Sequence, residues 1–409
     1  QISLKYYRHA TRFVLFSCSK FFELGETALL SNENFVAAPL PTIVFNRGAA
    51  QQLSNHIQAL GKTSALIVTD KNLAASGVLD SVIDALKAAN LKVEVFDGVE
   101  PNPTDLNVEA GAARLKELGD DAVVVPIGGG SSMDCGKSIA LLDANPGTVE
   151  EMQSSVPKPA KTQVIAVPTT AGTGSETNSA CVITNSRLGR KGYVLHPSIT
   201  PAFSILDPDL TVGLPAYPTA TCGYDVLTHA VEAFVSNRTN AYSDSIALTA
   251  IGKVAENLRD VVKDGSNVEA RSQMLLGSSM AAMAFNVAGL GSVHGTGHAI
   301  SARLNAAHGQ TLATMLPHVM EYNMREREEK YIEVAKILAP NGPATGAGAI
   351  DAVVQLRADI GIDKSIRDLG AEDDLLNVLV QDAVADPVNF SNPIPVDAEA
   401  IEKMYKAAW

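Results

Sequence analysis

Cysteine is scarce. Only Cys18, Cys135, Cys181 and Cys222 occur in 409 residues, far apart and without a CxxC spacing. That excludes a disulfide scaffold and a Cys-rich zinc module, and it fits a reducing compartment. Positive charge is also short: 32 Lys and Arg stand against 45 Asp and Glu, a net charge of −13. Nucleic acid and anionic membranes both demand a basic face, so neither is an expected partner. Long apolar runs are missing too, since none reaches the roughly 18 residues that span a bilayer. The first 20 residues carry Lys5, Arg8, Arg12 and Lys20 and no acid. Their apolar stretch Phe13–Phe16 is cut by Ser17 and Ser19, and no clean small-residue cleavage site follows, so a secretory signal is not the favoured reading. The expectation is a cytoplasmic protein with an extra N-terminal segment, residues 1–40, packed on its body.

What is present is apolar content. Hydrophobic residues make up 46% and charged residues 19%, which is too apolar for disorder. The length suits two domains with a large core. Short strands are expected at 42–46, 64–70, 92–96, 121–127 and 163–167, with helices at about 49–60, 78–89 and 104–117 between them. Alternating strands and helices imply a parallel sheet with crossovers. From Thr219 onward the chain is rich in Ala, Met and Leu at helical period, which predicts an all-helical second half. Gly342–Gly348 reads as a loop between helices. The expected domains are an extension over 1–40, an α/β domain over 41–214 and a helical domain over 215–409.

Two loops follow buried strands. Gly128-Gly129-Gly130-Ser131-Ser132 precedes a helix expected to begin near Met133. Strand, glycine turn and helix N-terminus together make an anion cradle. The pattern is neither GxGxxG nor GxxxxGK[ST], so a plain turn remains open at this point. Pro168-Thr169-Thr170-Ala171-Gly172-Thr173-Gly174-Ser175-Glu176 is rich in small hydroxyl residues. Two such loops on one sheet converge at its carboxyl edge, where open α/β sheets bind ligands. Asp70 closes the first buried strand. An acid there accepts hydrogen bonds from ribose hydroxyls and repels a 2′-phosphate, although it also suits a helix cap.

The histidines cluster in the second half. Asp225 and His229 are spaced i, i+4, as are His294 and His298, and His308 follows in Asn305-Ala306-Ala307-His308-Gly309. On a helix that spacing puts both side chains on one face. One Asp with three His is a borderline O/N donor set suited to Fe(II) or Zn(II) rather than Mg(II) or Ca(II). HExxH is absent, so a thermolysin-type protease is not indicated.

With these residues the chain resembles the iron-containing (group III) alcohol dehydrogenase family from about Pro41 to its end. The resemblance rests on the strand ending in Asp70, Pro101-Asn102-Pro103, the GGGS loop with Asp134 and Lys137, PTTAGTGSE from Pro168, DPDLT from Asp207, the Asp225/His229 helix and the His294–His298–His308 block. It implies a Rossmann-like α/β nucleotide domain with a parallel sheet, and an all-α metal-binding domain, as in the dehydroquinate synthase-like fold. The site then lies in the cleft between them. Asp225, His229, His294 and His308 become the metal ligands, and His298 a non-ligand histidine assigned to relaying the hydroxyl proton. Cofactor positions carried over are Asp70, Asn102, Gly129, Gly130, Ser131, Asp134, Thr169, Thr170, Thr173, Asn178, Lys191 and Leu210. Phe285 matches an apolar residue near the substrate.

The family's ending, a Cys-containing loop running into Asn-Pro-Arg, is altered here to Asp386-Pro387-Val388-Asn389-Phe390-Ser391-Asn392-Pro393-Ile394. Substrate choice is therefore open. The implied activity is hydride transfer between a small primary alcohol or aldehyde and NAD, with Fe(II), or Zn(II), polarising the substrate oxygen. A homo-oligomer, dimer or higher, is expected. The rivals are a glycerol, polyol or hydroxy-acid dehydrogenase of the same superfamily, and a dehydroquinate-synthase-like lyase, which would want more basic residues than Arg303 near the histidines.

Overall fold

Residues 42–206 alternate strand and helix in a computed structural model that describes residues 35–37, 39–155, 157–187 and 190–409. Most of the extension expected over 1–40, with His9 and Cys18, lies outside the described residues. Where the chain becomes described, Phe35 stacks on Tyr242 with ring centroids 5.5 Å apart.

Strands β1 (Thr42–Phe45), β2 (Ser64–Val68), β3 (Lys92–Phe96), β4 (Ala122–Gly128), β5 (Ile165–Pro168) and β8 (Phe203–Leu206) form a six-stranded parallel sheet in the order β1-β8-β5-β4-β2-β3. Side chains alternate across it with period two. Leu66, Val68 and Val124 pack on one face with α4 (Asp105–Leu118) and α5 (Gly130–Ala144). Ala65, Ile67, Val123 and Val125 pack on the other with α1 (Leu53–Ala59) and α3 (Asp80–Ala88). Helices on both faces explain why β2 and β4 read as unbroken apolar runs. Two short helices, α2 (Lys71–Ala75) and α6 (Val149–Ser154), complete the half.

Several elements differ from the sequence expectation. Helix α5 begins at Gly130 rather than near Met133, which shortens the glycine loop. The antiparallel hairpin β6 (Ala180–Asn185) and β7 (Arg190–Leu195), and β8, were not anticipated. The hairpin is held from outside itself. Asp134 on α5 accepts the Val182 N–H at 2.8 Å, and Lys137 donates to the Ala180 carbonyl at 2.6 Å.

From Ala216 every described element is helical: α7 (Ala216–Val235), α8 (Ala241–Lys263), α9 (Val268–Ala288), α10 (Ser292–Leu304), α11 (His308–Leu338), α12 (Gly346–Asp359), α13 (Leu376–Val384) and α14 (Ala398–Ala407), with short 3₁₀ turns between. Helix α12 takes up Gly346–Gly348, the end of the segment expected to be loop. From Thr219 to Val235 every residue of α7 except Cys222 is buried, so α7 is the axis of this half, covered nearly all round. Pro317 sits inside α11 without breaking it, whereas Arg327 (φ −131°, ψ 21°) kinks the helix. A proline there leaves the carbonyl four residues back without its helical donor. Arg357 of α12 supplies one, donating to Ala313 O at 3.0 Å.

The connector at Leu214-Pro215 is pinned by a buried cation. Arg271 of α9 donates to Leu214 O, Thr219 Oγ1 and Gly265 O at 2.8, 2.9 and 3.0 Å. No single helix among the described residues is long and apolar enough to cross a membrane. The bent pair α9–α10 has the length and composition only when its two members are taken together, and most of both lies in the helical core.

Candidate metal and nucleotide site

The helical half brings three of the four predicted ligands, Asp225, His229 and His294, to one point, with the fourth, His308, beside them. Asp225 and His229 project from the buried stretch of α7. His294 lies in the first turn of α10. An αL residue, Asn305 (φ 50°), turns the chain so that His308 opens α11. Asp225 Oδ1 faces His229 Nε2 at 3.3 Å, His294 Nε2 at 3.6 Å and His308 Nε2 at 3.9 Å. Asp225, His229 and His294 are buried, and His308 is about a third exposed. Asp225 Oδ1 and His294 Nε2 are buried without a hydrogen-bond partner.

A carboxylate oxygen and an imidazole nitrogen are not normally left so. A divalent cation would satisfy them together, and the donor set fits one. The donor atoms of Asp225, His229 and His294 all lie within 4.8 Å of one another, and an O/N₃ set is what iron or zinc takes.

The charges are arranged by the same geometry. Burial works to raise the Asp225 carboxyl, yet the imidazoles around it, His229 first, hold it well below the usual carboxylate range. Burial lowers His229 to about 4 and His308 well below its ordinary value. Burial opposes charge on His294 as well, but Glu232 and Asp225 outweigh it and raise the group to about 9.

His298 stands beside this set. Its ring stacks on His308 with centroids 5.3 Å apart, and its Nδ1 meets Asp386 Oδ2 at 2.8 Å. Phe285 lies 4.7 Å from His229, ring to ring.

Of the positions expected to meet a nucleotide, Asp70 and the loops after β4 and β5 lie at the carboxyl ends of their strands. Gly129 caps α5, and the first N–H groups of a helix have no partner within it. The second loop lies against this turn. A Cβ on Gly130 would come within 2.7 Å of Thr173, and Thr169 N–H bonds to Gly128 O at 2.9 Å. Ser131, Thr170 and Thr173 stay partly exposed at this junction.

Asp134 and Asn178 hold protein instead. Asp134 accepts from Ser175 Oγ at 2.5 Å and from the Val182 N–H. Asn178 Oδ1 accepts from Lys137 Nζ at 2.9 Å and from the Ala180 N–H at 3.0 Å. Lys137 is fully buried and also donates to Ser175 O at 2.9 Å, so one cation ties the loop to α5. Lys191 on β7 lies near enough to Asp134 and His308 to act on both electrostatically. Asp70 caps α2, accepting from Asn72 and Leu73 N–H at 2.9 and 3.0 Å through Oδ1. Asn102 is exposed in an αL turn (φ 56°), and Leu210 packs against the sheet core.

The second loop also reaches the helical half. Gly174 (φ 60°) tolerates no side chain, because a Cβ would lie 2.2 Å from Ala282 on α9. A Cβ on Gly172 would lie 2.9 Å from Cys222 on α7, and Glu176, fully buried, accepts from Ser279 Oγ at 2.6 Å. The nucleotide loop and the metal helices are thus in direct contact.

Known proteins share this fold. Residues 41–208 match the family described as iron-containing alcohol dehydrogenase, and residues 219–409 match the C-terminal part of the Fe-containing alcohol dehydrogenase family. The chain belongs to the iron-containing alcohol dehydrogenase family. It is 37% identical over 380 residues to the 1,3-propanediol dehydrogenase of Klebsiella pneumoniae, covering 89% of this chain and 96% of that one. The crystal structure of a 1,3-propanediol oxidoreductase superposes with a TM-score of 0.88 at 36% identity, over 92% of this chain and 100% of the other. A sulfoacetaldehyde reductase from Bifidobacterium kashiwanohense, solved with NAD⁺, gives 0.85 at 28% identity, over 92% and 99%.

In this member of the iron-containing alcohol dehydrogenases, two residues without an assigned role in the sequence touch the site histidines, and a third anchors the start of α10 outside the site. Glu232 bonds His294 Nδ1, Asp386 bonds His298, and Asn392 accepts the Ser292 N–H at 3.1 Å. Glu232 had a signal: positions 225, 229 and 232 share one face of a helix. Asp386 and Asn392 had none, because only the fold brings them to α10.

Proposed function

We propose that the chain is an alcohol and aldehyde oxidoreductase using NAD, with Fe(II), or Zn(II), held by Asp225, His229, His294 and His308. The single observation that carries this reading is the buried, unpartnered Asp225 Oδ1 facing three imidazole nitrogens beside a glycine-capped helix N-terminus. The ion supplies Lewis acidity toward an oxygen of the substrate, and the nicotinamide supplies the hydride chemistry.

The rest is done by the chain. Gly129, Gly130 and Ser131 present N–H groups and a helix dipole to phosphate oxygens. Thr169, Thr170 and Thr173 add hydroxyls at the same junction. Asp70 keeps one carboxylate oxygen outside its capping bonds, which favours ribose hydroxyls and disfavours a 2′-phosphate. His298, held by Asp386 through Nδ1, exchanges the hydroxyl proton at Nε2. Phe285 offers an apolar wall beside His229, which suits a small alcohol better than a charged substrate. The domains divide at Leu214-Pro215. The protein works in the cytoplasm as a homo-oligomer, a dimer or larger.

The test is anaerobic protein loaded with Fe(II) or Zn(II), given NAD and small primary alcohols, then NADH and the matching aldehydes. Absorbance change at the nicotinamide band supports the reading. Silence in both directions across the panel removes it.

A further inference from the structure

We propose that Glu232 is the positioning residue that fixes His294 as an Nε2 donor and so sets how tightly the site holds its metal. This rests on the metal reading above and deepens it.

Glu232 lies on α7, buried, one face-repeat beyond Asp225 and His229. Its two oxygens do different work. Oε2 pairs with His294 Nδ1. Oε1 accepts the Val293 N–H at 2.7 Å and, more weakly, the His294 N–H at 3.4 Å. Those are donors in the first turn of α10, whose own cap residue, Gly291, has no side chain to satisfy them. All of these bonds require Glu232 to accept. With the proton on Nδ1, Nε2 keeps its lone pair for a metal, and it lies 3.6 Å from Asp225 Oδ1. A carboxylate behind a ligating imidazole also raises its basicity, and losing such a partner typically weakens metal binding about 10–100-fold.

Glutamine has the same shape but only one acceptor. If its carbonyl keeps the helix, its NH₂ faces His294 Nδ1 and drives the proton to Nε2, the donor atom. If its carbonyl keeps His294, the NH₂ points at the N–H groups of α10. Glu232→Gln therefore cannot do both tasks.

Asn392 provides the contrast. It accepts the Ser292 N–H and exchanges hydrogen bonds with Asn323 at 2.8 and 3.0 Å, so it anchors the same helix start without touching His294.

The experiment is a chelator competition with Zn(II) on the metal-free full chain, comparing parent, Glu232→Gln and Asn392→Ala. The inference expects zinc affinity to fall at least about tenfold in Glu232→Gln and to stay near the parent value in Asn392→Ala. Parent affinity in Glu232→Gln overturns it. An equal loss in Asn392→Ala does so too, because the effect would then be general loosening of α10. A parent that binds no zinc or iron instead refutes the metal reading itself. Should Glu232→Gln not fold, nitrogen-15 histidine spectra of the zinc-loaded parent decide: a proton on His294 Nδ1 with the metal on Nε2 supports the inference, and the reverse tautomer ends it.

Discussion

The two halves of the cleft are built from different materials. On the sheet side, the groups left at the loop junction are helix-start N–H groups and small hydroxyls, and the long polar side chains there, Asp134, Lys137 and Asn178, hold the loops in shape. On the helical side the donors are themselves side chains, buried around Asp225 Oδ1. The lesson is that the sheet side is robust to loss of a presenting side chain but sensitive to loss of its scaffold. The helical side fails when any one donor is removed.

The largest effect tests that second statement. His294→Ala or Asp225→Ala abolishes metal retention, read by elemental analysis, and lowers turnover by about three decades, since Lewis-acid stabilisation is worth several kcal/mol. A His294→Ala protein with full metal and full rate breaks the comparison.

Next comes the scaffold of the sheet side. Lys137→Met leaves buried carbonyls and Asp134 without their cation, at a cost of about 3 kcal/mol in urea unfolding. NAD affinity weakens while zinc content stays at the parent level. Loss of zinc in that variant would erase the distinction between the two sides.

Acid provides a test of the helical side. A proton on His294, whose pKa burial opposes but Glu232 and Asp225 raise to about 9, competes with metal for Nε2. Metal affinity therefore rises with pH, about tenfold per unit between 6 and 8 as one proton is released. Competition titrations at the two ends of that range check it, and a flat profile contradicts it.

The smallest effect is at Asp70. Serine still caps α2 but carries no charge. Asp70→Ser should raise NADP use relative to NAD about tenfold, from roughly 1–2 kcal/mol of relieved repulsion, with little change in unfolding. An unchanged cofactor ratio would mean that Asp70 is only a cap.

These contrasts follow what the sequence revealed. Helical spacing made Asp225/His229 and His294/His298 visible, because i, i+4 pairs share a face whatever the tertiary packing. The buried strands were visible because both faces of β2 and β4 are covered; the β3 limits, Lys92–Phe96, coincide with the expectation. The hairpin β6–β7 was not, because its stability comes from Asp134 and Lys137 on α5, more than forty residues away. Strand β8 has only four residues, between Pro201 and Pro208. Pro317 does not end α11, because Arg357 donates to the carbonyl that the proline leaves without a helical partner. Asp386 meets His298 across 88 positions, and no periodicity encodes that.

The fit of Gly172 and Gly174 into α7 and α9 has a consequence for recombining this protein with its relatives. The obvious crossover point for exchanging halves is the Leu214-Pro215 connector. A swap there sets the parental PTTAGTGSE loop against foreign helices, where one residue larger than Cys222 or Ala282 pushes the loop off its seat. A junction placed before Pro168, with a second after Thr177, moves the loop together with the helices it touches. By inheritance the loop is a piece of the sheet domain; by fit it travels with the helical one.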